Sequence, residues 1–217
     1  MPTLLPCSLR LRTLAALALL AGTAPAHALT YISNLTQFAF SQNPVSTSSW
    51  LAEPFITDNS APSFSLNDYM MSMFNATTAS GDFTVSLFSD NSGQPGSPIA
   101  LGTGTGDPST TEVYTYTFSS TILQPNTEYW MVASVSSGAS SYNAAYVSAS
   151  DPYAGTWTST PGWVFSNDQG ASWNVAILGI SPQFAVDATP TVVPEPATYA
   201  LLLGLPAFAL VYFRRRK

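Results

Sequence analysis

The chain has 217 residues, 46% hydrophobic and only 8% charged, with twelve acidic and six basic side chains, one histidine and one cysteine. A lone cysteine leaves no intramolecular disulfide framework, and a formal charge of −6 opposes binding to a phosphate backbone, so no nucleic acid is expected as a partner. Where these few residues sit along the chain excludes more than their totals do.

Arg10 and Arg12 precede the apolar run Leu14–Ala21, and Ala24-Pro25-Ala26-His27-Ala28 follows it. A basic start, a short apolar run and a small-residue site predict a secretory signal peptide over residues 1–28. Ala26 and Ala28 occupy the cleavage positions and Leu29 becomes the mature start; a cut after Ala26 is the second choice. The run is short for a membrane span and is broken by Gly22 and Pro25, which argues against an uncleaved anchor.

Cys7 and His27 both fall in that leader, and every basic residue lies either there or in the last four positions, Arg214, Arg215, Arg216 and Lys217. Between Leu29 and Pro196 there is thus no Cys, His, Lys or Arg, while all twelve acids remain. Ser-His-Asp and Cys-His nucleophiles lack their base, a Schiff-base enzyme lacks its lysine, and zinc lacks both of its usual ligand types. No catalytic residue, no cofactor and no enzymatic activity is expected. Two chemistries survive the inventory: a carboxylate pair acting on a glycosidic bond, for which Glu112 and Glu128 stand at predicted strand starts, and oxygen ligands for calcium.

The central 160 or so residues suffice for one core, and no sustained helical period runs through them. Leu29–Phe40 has a mixed apolar pattern, and Ser41–Pro54, rich in Ser, Asn and Pro, reads as a loop anchored by Trp50. Ser65–Phe74 reads as a core strand, its methionines serving packing. Phe83-Thr84-Val85-Ser86-Leu87-Phe88 alternates, so Phe83, Val85 and Leu87 share a buried face. Ser89 to Pro98 is turn chemistry. Val113–Phe118 and Glu128–Val135 read as strands joined by Gln124-Pro125-Asn126-Thr127; Trp163–Phe165 and Asn174–Ile180 flank another turn, and Gln183–Asp187 closes a sheet. Ser134–Ser150 is Ser-rich, a composition compatible with O-linked sugar. Short strands between Gly/Pro-rich turns predict an all-β fold, an antiparallel β-sandwich of jelly-roll-like type.

The stretches Leu87–Gly96 and Leu123–Val132, with the later Trp-rich segment, resemble the choice-of-anchor ectodomains, especially the R type. The resemblance implies an extracellular β domain without established catalysis, attached to a sorting tail.

Three constellations carry candidate chemistry. Ser166-Asn167-Asp168-Gln169-Gly170-Ala171-Ser172-Trp173 fits the Asp-box pattern S-x-D-x-G-x-x-W, in which Ser166, Asp168, Gly170 and Trp173 build a hairpin turn. Sialidase chemistry does not follow, because no arginine lies between Leu29 and Pro196 to hold a substrate carboxylate. Trp157 and Trp163 beside Tyr153 form a candidate platform for stacking sugar rings, against the alternative that they fill the core. Asp90 and Asn91 offer oxygen ligands at a turn, without the spacing of a calcium loop; solvated turn acids are the competing reading and no metal is assigned.

At the end of the chain, Val193-Pro194-Glu195-Pro196 precedes a 17-residue uncharged run, 197–213, and the four cations 214–217. The prolines keep the start extended. The run then predicts a transmembrane helix at the short end of spanning length, with the cations on the cytoplasmic side. These three parts in this order resemble the PEP-CTERM sorting signal. That resemblance implies processing by an exosortase after transient residence in the inner membrane. The expected organisation is a signal peptide, 1–28, an extracellular sandwich, 29–190, and a sorting segment, 191–217. The expected function is that of an exported surface or extracellular-matrix protein, with exopolysaccharide or another glycan as a partner; the alternative is a carbohydrate-binding module.

Overall fold

The computed structural model describes residues 27–148, 152–159, 162–175 and 179–191. The leader up to Ala26, the Val193–Pro196 motif, the 197–213 run and the basic tail lie outside the described residues. Among the described residues the chain is all-β, and no helix is long and apolar enough to cross a membrane.

The strands are β1 (Leu29–Ser33), β2 (Ser41–Ser46), β3 (Trp50–Ile56), β4 (Phe64–Thr78), β5 (Phe83–Asp90), β6 (Pro95–Leu101), β7 (Glu112–Leu123), β8 (Glu128–Val135), β9 (Ser141–Ser148), β10 (Ala154–Gly155), β11 (Val164–Ser166), β12 (Asn174–Val175), β13 (Ile180–Pro182) and β14 (Phe184–Pro190). They form two antiparallel sheets. One runs β10-β1-β14-β4-β9-β13, with β2 also paired to β9 and β7 to β4; the other runs β12-β11-β3-β8-β5-β6.

The main core lies between the sheets, supplied by alternate residues of each. From the second sheet come Leu51 and Phe55, then Phe83, Val85 and Leu87, then Tyr129, Met131 and Ala133. From the first come Ile32, Phe64, Leu66, Tyr69, Met71, Met73, Phe184 and Val186. Along β4 the buried set changes from even to odd numbers between Leu66 and Tyr69. A register shift between Leu66 and Asp68 accounts for this, since one extra residue flips every later side chain to the other face. Trp157 fills the middle of one end, its ring 4.7 Å from Tyr31, 5.5 Å from Phe55 and 5.1 Å from Phe64.

Three expectations need correction. Ser41–Pro54 is not a loop: it contains β2 and most of β3. Pro44 is accommodated because β2 pairs only with β9 and so lies at an edge. Pro54 shares its orientation with Ile56, whose N–H bonds to Thr158. The N–H that proline lacks therefore points past the end of β11 rather than into the β3–β8 ladder. The Ser-rich 134–150 stretch is largely strand rather than an open segment: it contains β9, whose Tyr142–Val147 segment is buried throughout, and Ser134 and Ser140 are buried too, while Ser136 and Ser137 stay exposed between β8 and β9. Gln183–Asp187 does not close a sheet but runs into β14, which lies between β1 and β4.

Candidate functional site

The second sheet carries another apolar cluster on its outer face. Ala52, Trp130, Val132 and Val164 are buried there, with Trp50, Phe88 and Trp173 packed against them. This is why every residue of β8 after Glu128 is buried, on both faces. Trp50 donates its indole N–H to the Val135 carbonyl at 2.9 Å, and Trp130 donates to Asp90 Oδ1 at 2.9 Å. Both polar tips are thus satisfied, with the Trp130 ring buried and the Trp50 ring half-buried.

The cover over this cluster is the β11–β12 hairpin. Ser166, fully buried, donates to Asp168 Oδ1 at 2.7 Å and accepts the Gly170 amide at 2.7 Å. Asp168 also accepts the Ser172 amide at 2.8 Å and the Ser172 hydroxyl at 2.6 Å. Those donors, the Ser172 hydroxyl foremost, hold its carboxyl down to about 2. Gln169 and Gly170 both take positive φ, 59° and 85°. A Cβ on Gly170 would lie 2.9 Å from the Trp50 ring, so glycine is required here both by conformation and by the close approach of Trp50. Trp173 is half-buried against the outer cluster.

The β5–β6 turn stands opposite this hairpin. Asp90 Oδ1 receives the Gly93 amide at 3.0 Å in addition to the Trp130 indole. The turn closes through Asn91 N–H to the Gln94 carbonyl at 2.8 Å, with Ser92 and Gly93 at positive φ. Gln94 donates its side-chain amide across to the Trp173 carbonyl at 3.3 Å, tying the two turns together. Between them lies an open groove of about 750 Å³, lined mainly by polar atoms of Asp90, Asn91, Gln94, Ser97 and Ser172, with Trp173. Two motifs read separately in the sequence, the Asp90-Asn91 turn and the Asp-box, thus become opposite walls of one cleft. Among the described residues no group of three or more Asp, Glu, His or Cys forms a metal cluster.

The sugar platform expected at Tyr153, Trp157 and Trp163 does not hold. Trp157 and Trp163 are only 2% and 7% exposed, so neither ring offers a face to a ligand, and Trp163 packs at a tilt of 60° against Tyr146 with centroids 4.9 Å apart. Tyr153 is half-buried, its hydroxyl 2.6 Å from Ser181 Oγ. Large aromatic area is worth more inside this core than at its surface.

Tyr153 and Ser181 belong to a network around a residue that the sequence reading left without a role. Glu53 lies on the inward face of β3 between Leu51 and Phe55 and is 2% exposed. Its Oε1 accepts Ser181 Oγ at 2.9 Å, Tyr153 Oη at 3.2 Å and Ser159 Oγ at 3.3 Å, while Oε2 is buried without a partner. Burial pushes its carboxyl up to about 8, partly offset by the hydroxyls of Ser181, Tyr153 and Ser159. Burial, then the nearby Glu53, pushes the Tyr153 phenol upward as well. The signal for this was the alternation Leu51-x-Glu53-x-Phe55, hidden by the assignment of that stretch to a loop. With so little exposure Glu53 meets no substrate from solvent. Glu112 and Glu128 begin β7 and β8, which belong to different sheets.

No protein-family model matches the sequence, and no curated protein is significantly similar to it.

Proposed function

We propose that this chain is an exported, non-catalytic β-sandwich protein of the cell surface or exopolysaccharide matrix, released from the inner membrane by an exosortase acting at Val193-Pro194-Glu195-Pro196. The observation that carries the reading is the placement of charge and reactive groups. All six cations, the cysteine and the histidine lie in the two end segments, and the region between keeps twelve acids and none of those groups. Such a domain is repelled by its own copies and by anionic polymers, which favours dispersal outside the cell.

The positions of the strands support the same reading. β1 starts at Leu29, immediately after the expected leader, and β14 ends at Pro190, before the sorting motif. Thr191 donates to the Ser63 carbonyl at 2.9 Å beyond it. Removal of both ends would therefore cost none of the strands among the described residues. The finer assignment is a jelly-roll-like sandwich of the choice-of-anchor type followed by a membrane-spanning helix over 197–213, with Arg214, Arg215, Arg216 and Lys217 fixing orientation.

The test is mass spectrometry of the secreted and membrane fractions of the expressing cell. A mature chain starting at Leu29 and ending near the Pro194-Glu195-Pro196 motif is the expected result, with accumulation of the uncut form in Glu195→Ala. Secreted protein ending at Lys217 would overturn the processing step.

A further inference from the structure

We infer that the groove between the β5–β6 turn and the Asp-box hairpin binds a neutral sugar unit of a polysaccharide. This inference goes beyond export and sorting and stands whether or not the tail is cut. The first support is chemical. The walls offer carboxylate, amide and hydroxyl groups from Asp90, Asn91, Gln94, Ser97 and Ser172, and no cation lies in the sequence from Leu29 to Pro196. A phosphate, a sulfate or a uronic acid would enter with its charge unmatched beside Asp90. A polyol suits the site, because each hydroxyl donates to a carboxylate or amide oxygen and accepts from an amide N–H.

The second support is preorganisation. Asp90 Oδ1 is fixed by two donors, the Trp130 indole and the Gly93 amide, and no hydrogen bond reaches Oδ2 from the described residues. One carboxylate oxygen is thereby anchored and the other presented, so ordering costs little when a ligand binds. The opposite wall is held by five side-chain hydrogen bonds within the Ser166–Ser172 turn. Gln94 spans the two, committing its amide nitrogen to Trp173 and leaving its oxygen as an acceptor. Half-buried Trp173 also lines the groove, placing an aromatic side chain beside the polar groups that would fix a sugar's orientation. The volume lies within the range of about 300–1,000 Å³ usual for small-ligand clefts.

The tryptophans divide into two sets. Trp157 and Trp163 pack in the inter-sheet core, whereas Trp50, Trp130 and Trp173 gather on the outer face beneath and beside the groove.

The experiment is affinity electrophoresis of the full chain in a non-glycosidic detergent, through gels carrying dextran, laminarin or galactomannan, with alginate and chitosan as anionic and cationic controls. Retardation by at least one of the neutral polymers is expected, unchanged at about 1 M NaCl, where charges are screened beyond roughly 3 Å. Asn91→Ala and Gln94→Ala, with unaltered circular dichroism, should each weaken it by about threefold to tenfold, the worth of one or two hydrogen bonds. Trp173→Phe should weaken it too, and Trp157→Phe should not. No retardation by any of the three neutral polymers overturns the inference. So does salt-sensitive retardation by chitosan alone, which would assign the groove to an amine, or binding by Asn91→Ala and Gln94→Ala equal to that of the parent. The processing test does not depend on any of these outcomes.

Discussion

Replacing Glu53 by glutamine isolates the effect of one buried proton on the whole sandwich. In the folded chain this carboxyl titrates at about 8 rather than at its ordinary 4.5 because burial disfavours its charged form. Between those two values the folded state keeps a proton that the unfolded state has released, so raising the pH favours unfolding. Below about pH 4.5 both states are protonated and the contribution is complete; above about pH 8 both are ionised and it has been lost. At about 1.4 kcal/mol per unit the loss sums to about 5 kcal/mol, comparable with the total stability of many domains. Urea unfolding followed by tryptophan fluorescence should therefore show the midpoint falling steadily from about pH 5 to about pH 9, with the slope against urea unchanged. Glu53→Gln keeps the shape and the acceptor oxygen for Ser181 but has no proton to lose. Its stability should be nearly flat over that window, below the parent at the acidic end, where its NH₂ group has no acceptor in place of Oε2, and above it at the alkaline end. A flat parent profile, or a Glu53→Gln variant with the parent's slope, refutes proton retention at this site.

Other outcomes follow from single contacts. Asp168→Asn should lower the Tm at neutral pH, and the gap should close as the parent's own carboxylate is protonated on falling through about pH 2, since a depressed acid contributes only above its unfolded value and loses that contribution in acid. Gly170→Ala should cost about 1–3 kcal/mol in chemical unfolding, because alanine is strained at φ 85° and would press on the Trp50 ring. Asn34 donates to the Pro182 carbonyl at 2.8 Å and accepts the Phe184 amide at 2.6 Å. Asn34→Ala leaves both buried groups without a partner and should cost about 2–4 kcal/mol, where Asn34→Ser should recover part of it. Trp157→Ala should destabilise by about 3–5 kcal/mol, the range for a large aromatic removed from a core; an unchanged Tm would contradict its packing against Tyr31 and Phe55.

The residues most legible in advance were those whose meaning is local. Phe83, Val85 and Leu87 alternate over one strand, and a period of two is enough to put them on one face. The Asp-box turn was legible because Ser166, Asp168, Gly170 and Ser172 satisfy one another within seven residues. The methionines of β4 divided by face, Met71 and Met73 inward and Met70 only half-buried, once its register shift is known. β2 and β9 were hidden because prolines, serines and alanines carry little hydrophobic signal, and their strand state is decided by a partner strand a hundred residues away.

By itself the sequence determined the chemical inventory: a central region with acids and no cations, histidine or thiol, bracketed by two segments that hold them all. It also determined which side chains share a face and where the chain turns. What lies opposite each face was decided only by strand order. Because β11, β3, β8 and β5 are neighbours in one sheet, turns some eighty residues apart meet as two walls of a groove. The same order places β3 so that Glu53 points into the core instead of into water. Alternation specifies inside from outside; only the pairing of distant strands specifies what the inside contains and which turns converge outside it.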